Sequence, residues 1–537
     1  MIHRNPLRLL LAVLLGLALA SAPARAVDPE DQNSMRLVNR YMAQAQYETA
    51  SQLLEQILAK HPRDVPASIS YVDALLYQHR LDDAETFLGR ALEQSPGHAD
   101  LYRMRVKLRR AQERPDDAFA DVLLVVKTNP ERATWAYRET VDLLKAGLDP
   151  ARARNAIVAA SPGGNGAPDF SLFIAVIAAQ EGRGEEALRL VSGYDAEKKQ
   201  SGEAIRHFAD EMFALDRRDL ARKAIATAVE RAPTPERRTD HLFRAAEMAE
   251  RDGNYKDALV SLERIAAERE GKAAAANARL HSAEIHDKYL KDPAGALALY
   301  GQIRDDPSLG HLRPTLLLQM ADCYVRLARF DEAVRTYVEV GPEAFDPEHA
   351  ELAALRLADI EFFRGTPDSA LTLYQSMADT YPRSRFTDQA AARYILLNKY
   401  VQVRMAGELA RTWGRLEWAR LAGDSSAVAA AADSLLDRDP EGELAAEALF
   451  ALAETAQGGG NPAAAAARLE EIVRRFSGDK HRAPEALLRL GTLLADVLAR
   501  PAEALTRFET VLTDYPTSVQ AGDARRRVEA LRRELRS

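Results

Sequence analysis

The chain has 537 residues, 47% of them hydrophobic and 28% charged, a balance of folded rather than disordered sequence. The length exceeds one compact core, and a mean hydropathy of −0.30 excludes a protein of many membrane spans. A formal net charge of −8 argues against a binder of nucleic acid, and a single cysteine, Cys323, excludes a disulfide framework, a cysteine-ligated zinc module and an iron–sulfur site.

Residues 1–26 read as a secretory signal peptide. His3, Arg4 and Arg8 form a basic start, residues 9–20 are uncharged and apolar, and Ala24-Arg25-Ala26 supplies a small-x-small cleavage site. Twelve apolar residues are too few to cross a hydrocarbon core of ~30 Å as a helix; an uncleaved N-terminal anchor is the alternative. Cleavage before Val27 would remove Arg4, Arg8 and Arg25 and take the net charge from −8 to −11. The expected product is exported, acidic and free of an integral span, periplasmic or associated with the outer membrane.

After the leader, three segments align without a gap: QYETASQLLEQILAKHP (46–62), RLDDAETFLGRALEQSP (80–96) and RPDDAFADVLLVVKTNP (114–130). Ala50, Ala84 and Ala118 fall 34 residues apart, and so do Pro62, Pro96 and Pro130. Leu54, Leu88 and Val122 follow the alanines by four places, then Ile57, Ala91 and Val125 by three more, which is one face of a helix. The proline ends that helix and sets up the next. Ala187 and Ala221 keep the 34-residue step, and Ala258, Ala296, Ala333 and Ala370 lengthen it to 37 or 38. The step of 69 from Ala118 to Ala187 fits two units, the middle one degraded around Trp135 and Ala153. NPAAAAARLEEIVRRF (461–476) and RPAEALTRFETVLTDYP (500–516) repeat the theme, and a weaker unit lies around Val428 and Pro440. The total is about thirteen helical hairpins.

These segments resemble the tetratricopeptide repeat, a helix–turn–helix unit with small residues where its two helices touch. Leu317, Met320, Ala321, Tyr324, Ala333 and Tyr337 fill the slots of one unit; Leu487, Leu490, Gly491, Leu494, Ala504, Phe508 and Pro516 fill those of the last. Several units lack the bulky aromatic of the first helix. The resemblance covers roughly 31–385 and 440–520. It implies an all-α fold, an α-solenoid wound as a right-handed superhelix, because each unit alone leaves an apolar face bare.

The spacing divides the chain into a signal peptide (1–26), an N-terminal array of 34-residue period (27–160), a central array of 34–38 residues (170–385), a long-helix spacer with Trp413 and Trp418 (386–438), and C-terminal repeats with a capping helix (439–537). SPGGNGAPD (161–169) reads as an exposed loop. DARRRVEALRREL (523–535) has the polar outer face a terminal cap needs. Cys323, on the apolar stripe of LLLQMADCYVRLARF (316–330), reads as a small buried thiol.

No catalytic constellation emerges. HExxH is absent, and His281 and His286 stand five apart, a spacing that diverges on a helix. GGNG (163–166) lacks the lysine of a phosphate loop, and GxSxG is missing. The expectation is a protein that is not an enzyme and has no cofactor and no metal site.

The resemblance implies that the first helix of each unit lines a concave groove. Projecting the 34-residue register gives Met35, Asn39 and Met42 in the first unit, Ile69, Asp73, Leu76 and Tyr77 in the second, and Arg103, Lys107 and Arg110 in the third. These are the candidate partner-binding residues: apolar anchors beside a basic ridge, LYRMRVKLRR (101–110), suited to a peptide with an acidic end. The competing reading packs Met35 and Ile69 between helices and pairs the arginines with Asp116, Asp117 and Asp121. Of the lysine–asparagine pattern that grips chaperone C-termini in some members, only Asn39 matches.

SALTLYQSMADTYPRSRF (369–386) and RFETVLTDYPTSVQAGDARRR (507–527) are similar in style to repeat proteins of outer-membrane assembly and of the Tol–Pal division system. The expectation is a non-catalytic scaffold or adaptor of the bacterial cell envelope whose partners are other envelope proteins. The alternative is the periplasmic repeat scaffold of an exopolysaccharide secretion system.

Overall fold

The computed structural model describes residues 29–160, 170–343, 346–401 and 407–534. The signal-peptide reading (1–26) and the loop at 161–169, GGNG included, lie outside the described residues. Among those described, regular structure is 28 α-helices and two short 3₁₀ segments, with no strand. Twenty-six of the helices form thirteen antiparallel hairpins, from Pro29–Ala43 with Tyr47–Lys60 to Arg482–Asp496 with Pro501–Asp514; Thr387–Val401 and Ala521–Glu534 stand outside the pairs. This is an α-solenoid of helical hairpins.

One backbone device recurs in eleven of the thirteen hairpins. In the second, His79 has a φ of 56°; its N–H donates to Leu76 O at 3.0 Å, and the Arg80 N–H donates to Leu75 O at 2.9 Å. These crossed bonds satisfy the end of the first helix and reverse the chain. A residue of positive φ stands in all thirteen turns, with Ala45, His79, Glu113 and Gly147 spaced by 34. Six are glycine and seven are not, so the turn is imposed by packing on both sides. A side chain held there costs about 1 kcal/mol.

The alanines that defined the period, from Ala50, Ala84 and Ala118 to Ala333, Ala370 and Ala504, are fully buried. They let paired helices approach until the large side chains beside them interlock. On the facing first helix of the last hairpin, an added Cβ at Gly491 would lie 2.6 Å from the Phe508 ring. The prolines act as the spacing implied: the helices end at Lys60, Gln94 and Thr128, two residues before Pro62, Pro96 and Pro130.

The chain divides into two compact units, 1–248 and 249–537. This differs from the divisions drawn from spacing at 160/170, 385/386 and 438/439. Residues 386–438 hold helices Thr387–Val401, Gly407–Ala422 and Ser425–Arg438, of 15, 16 and 14 residues, so the segment is not built of long helices. The last two form a hairpin with the same left-handed turn at Gly423 and bury Trp413 edge-on to Phe362, centroids 4.7 Å apart. The extra helix Thr387–Val401 lengthens the step between units, and Val428 occupies the buried alanine slot. Those two changes hide the period.

Hydrophobic clusters follow the chain instead of forming one center, covering 38–108 and 106–248 in the first unit and 276–323, 317–451 and 449–531 in the second. In the second unit ionic rungs join first helices about one repeat apart, and in one case the extra helix Thr387–Val401 to the first helix before it. Arg326 meets Asp287 across 39 residues; Arg393 meets Asp359 across 34; Arg489 Nη1 meets Glu454 at 2.7 Å across 35. Asp359 is wholly buried and also accepts from the Tyr374 hydroxyl at 2.7 Å and from Arg356 at 3.1 Å. The Trp418 Nε1–H donates to Val325 O at 2.9 Å, 93 residues away. Cys323 is buried, and burial pushes its thiol up to about 12. His281 and His286 serve separate carboxylates, Glu250 at 2.7 Å and Asp292 at 2.9 Å, and form no joint center. The last helix buries Ala524, Val528 and Leu531 on one face, as a cap requires.

Candidate binding groove

The ten residues projected from the sequence all lie in the first compact unit, but they do not form one site. Met35, Met42, Ile69 and Leu76 are half-buried and pack against the hydrophobic cluster of the first three hairpins. They lean on the core rather than stand free as anchors. Asn39 is exposed. Asp73, Tyr77 and Lys107 do come together: Lys107 Nζ donates to Asp73 Oδ1 at 2.5 Å and sits 5.5 Å from the Tyr77 ring centroid. Tyr77 stacks on Tyr47, centroids 4.6 Å apart.

The other two cations are answered separately. Arg103 pairs with Asp100 at 2.9 Å and lies over the Trp135 ring at 5.1 Å. Arg110 meets Glu139 at 2.7 Å. The acidic residues weighed as their partners are taken by others: Asp121 by Arg105 and Arg109, Asp117 by Arg114 and Asp116 by Arg152. The ridge is therefore neutralised pair by pair, Arg105 and Arg109 on buried Asp121 and the others through more exposed contacts worth about 0–1 kcal/mol each.

A deeper hollow of about 560 Å³ lies further along the same unit. It is built by the first helices of the fourth to seventh hairpins, Ala133–Lys145, Ser171–Gln180, Glu203–Ala214 and Pro235–Arg251. Its apolar side is Leu172, Phe173 and Tyr137, with Tyr137 edge-on to Phe173 at 6.3 Å. Its polar side is Arg138, Glu203, His207, Glu211 and Arg237, and Lys199, Gln200 and Ser201 close one end.

That closing turn is held from behind. Lys199, Ser201 and Gly202 all have positive φ, and buried Asp195 accepts from the Gly202 N–H at 2.8 Å and the Ala204 N–H at 3.0 Å. A Cβ at Gly202 would meet Ala228 O at 3.0 Å and His241 Nε2 at 3.1 Å, so glycine is needed there. The carboxylate of Asp195 thus fixes a strained backbone at the edge of the hollow.

Charges in the hollow are unevenly answered. Glu203 accepts from Arg206 Nε at 3.1 Å, which holds its carboxyl below the usual range, and lies 3.3 Å from His207 and 3.5 Å from Arg237. Burial, with Arg206 and Arg138 nearby, pushes the His207 pKa down. Burial pushes the Glu211 carboxyl up. Glu211, Arg138 and Lys199 have no side-chain hydrogen bond or ion pair among the described residues. The Tyr137 hydroxyl, on a side chain 8% exposed, likewise finds no partner there.

The hollow begins one unit beyond the projected candidates. A further step of 34 from Arg103 lands on Tyr137, in the fourth unit, where the repeat pattern is degraded. Lys199 and Ser201 lie in a turn between hairpins, where first-helix projection assigns nothing.

Stacked hairpins, a left-handed residue in each turn and a hollow lined by first helices define a solenoid of the protein-interaction class. Residues 41–108 and 450–519 each match a tetratricopeptide repeat model, so the chain carries tetratricopeptide repeats in both compact units. No curated protein matches the chain. Similar solved structures include a Naa15/Naa10 complex bound to HypK-THB (17% identity, 94% of this chain, 78% of that one, TM-score 0.29). A tetratricopeptide repeat protein from Parabacteroides merdae shares 13% identity over 55% of this chain and 98% of its own, with a TM-score of 0.25. PilW, a type IV pilus biogenesis factor, shares 16% over 47% and 99%, also at 0.25. At these scores the likeness adds nothing to what the helices establish.

Proposed function

We propose that the protein is a non-catalytic scaffold of the bacterial cell envelope, holding segments of partner proteins in the first-helix groove of its first compact unit. The observation that carries the reading is the hollow between Thr134 and Arg237, apolar on one side and carrying unanswered charges on the other, on a solenoid with tetratricopeptide repeats. An apolar wall with a few convergent polar groups is the usual composition of a binding site. The leader-like residues 1–26 support the envelope location.

Site-specific photo-crosslinking in cells tests both parts. A crosslinker at Thr134 or His207, which line the hollow, should give a discrete protein adduct, and one at exposed Arg90 on a second helix should not. A crosslinker at Asn39 tests the N-terminal candidates in the same way. Equal adducts from Arg90 and His207 would defeat the groove assignment, and recovery of the protein from cytosol alone would defeat the envelope location. A polysaccharide adduct would favour the exopolysaccharide reading.

A further inference from the structure

We infer that the hollow between Thr134 and Arg237 takes an acidic peptide segment that presents an aromatic or large aliphatic side chain. This rests on the scaffold reading and narrows it to one kind of partner.

The first support is a local imbalance of charge in an acidic protein. Glu203 is engaged by Arg206, His207 and Arg237. His207 is held toward its neutral form, so it adds little positive charge near neutral pH. The groups left without an ion pair among the described residues are Arg138 and Lys199 on one hand and Glu211 on the other. Two free cations face one carboxyl, so a segment bearing carboxylates is complementary.

The second support is the Tyr137 hydroxyl. It is buried, lines the hollow and has no acceptor among the described residues. An unsatisfied buried donor costs about 1–3 kcal/mol, and a peptide carbonyl or carboxylate reaching the apolar wall would remove that penalty. The wall, half-buried Leu172 backed by the buried Phe173 and Tyr137 rings, is apolar and suits contact with one large side chain.

The occupant is not a sugar by the same geometry. Sugar rings stack on open aromatic faces, whereas Phe173 and Tyr137 are buried edge-on to one another and the Tyr194 ring lies under the Lys198 ammonium at 5.7 Å. A volume of about 560 Å³ holds a short run of residues rather than a folded domain.

The test uses the full chain and two capped, fluorescent hexapeptides, one alternating Asp with Phe and one alternating Lys with Phe, followed by anisotropy. The acidic peptide should bind and the basic one should not. R138E/K199E should weaken binding at least about tenfold, R138Q/K199Q by less, and Tyr137→Phe about fivefold; Arg90→Glu, on an exposed second helix and with the same net charge change as R138Q/K199Q, should leave it unchanged. Equal binding of both peptides, no binding below about 1 mM, or indifference to R138Q/K199Q in a folded variant overturns the inference. Partner adducts from His207 together with no acidic-peptide binding would remove this inference and leave the scaffold; no adducts from the groove would remove the scaffold.

Discussion

In the unit 249–537, Arg326 meets Asp287 and Arg489 meets Glu454, each pair joining first helices about one repeat apart, and Arg393 on the extra helix Thr387–Val401 meets Asp359 on the first helix before it. In the unit 1–248 rungs of the same kind exist, Lys107 with Asp73, Arg244 with Asp210 and, more loosely at 3.5 Å, Arg237 with Glu203 in the hollow itself, but Arg138 and Glu211 beside them take no part in any. Arg138 and Glu211 are close enough to influence each other's surroundings and still form no pair. A repeat protein is held by nearest-neighbour contacts, so a missing rung weakens one interface only, and the charges released remain available to a ligand. Saturated rungs mark where the solenoid is fastened, and Arg138 and Glu211 are charges that this fastening leaves over.

The largest expected effect breaks that contrast at its strongest rung. Asp359→Ala strands Arg393, Arg356 and the Tyr374 hydroxyl around a buried gap. Removing one member of a buried charged group costs about 3–5 kcal/mol, which calorimetry of the whole chain should register as a lower midpoint. Arg138→Gln in the hollow should stay within about 0.5 kcal/mol of the parent. Comparable losses in the two variants would mean that Arg138 is also a structural group.

Backbone proximity gives the next contrast. A Cβ at Gly414 in the second unit would fall 2.2 Å from Phe362 O, and main chain yields less readily than a side chain. Gly414→Ala should therefore destabilise by about 1–3 kcal/mol. Gly193, mid-helix in the first unit, has nothing within 4 Å, so Gly193→Ala should stabilise by about 0.5–1 kcal/mol. Thermal melts that move in the same direction would refute the assignment of close approach to Gly414.

Acid titration separates the carboxylates. Burial works to raise the Asp479 pKa, but the amides of Arg482 and His481 and the Arg482 guanidinium outweigh it, so the carboxyl titrates below its ordinary range. A depressed folded-state pKa contributes stability that is complete above the unfolded value and is lost as pH falls through the folded one. Asp479→Ala should cost about 1 kcal/mol at pH 7, and the gap to the parent should narrow as the solution is acidified below about pH 4. A gap that stays constant would place the loss in packing rather than charge.

The hairpins were legible because their determinants are local and periodic. Ala50, Ala84 and Ala118 must be small, Pro62, Pro96 and Pro130 must end helices, and both demands recur every 34 residues. The hairpin at 407–438 was obscured because Val428 stands in its alanine slot and Thr387–Val401 is added before it. The hollow was harder still. Whether Arg138 has a partner depends on residues in other repeats, and Glu139, its neighbour in sequence, is claimed by Arg110 from 29 residues earlier. For Met35 and Ile69 the sequence left groove anchor and interhelical packing both open, and they rest on the core, because register fixes the face of a helix and not how closely the next hairpin packs on it.

The smallest effect is the sharpest test of the comparison, because its sign differs from that of Asp479. Burial raises the Glu211 pKa above its unfolded value. Between the two values the folded chain holds the proton more tightly, so stability falls as pH rises through that window and stays lower above it. Glu211→Gln keeps the shape and removes the buried charge, so it should stabilise the chain by about 0.5–1 kcal/mol at pH 7 and give no gain near pH 4, below the ordinary glutamate value of about 4.3. The same change removes the one unanswered negative charge facing Arg138 and Lys199, so it should tighten the acidic hexapeptide about twofold to fivefold. Stability and affinity rising together at pH 7 would identify Glu211 as a carboxyl that neither fastens the repeats nor attracts the ligand, and so one that sets selectivity by repulsion. A fall in stability at pH 7 would make Glu211 a fastening group like Asp359, and the contrast between the two units would not hold at this position.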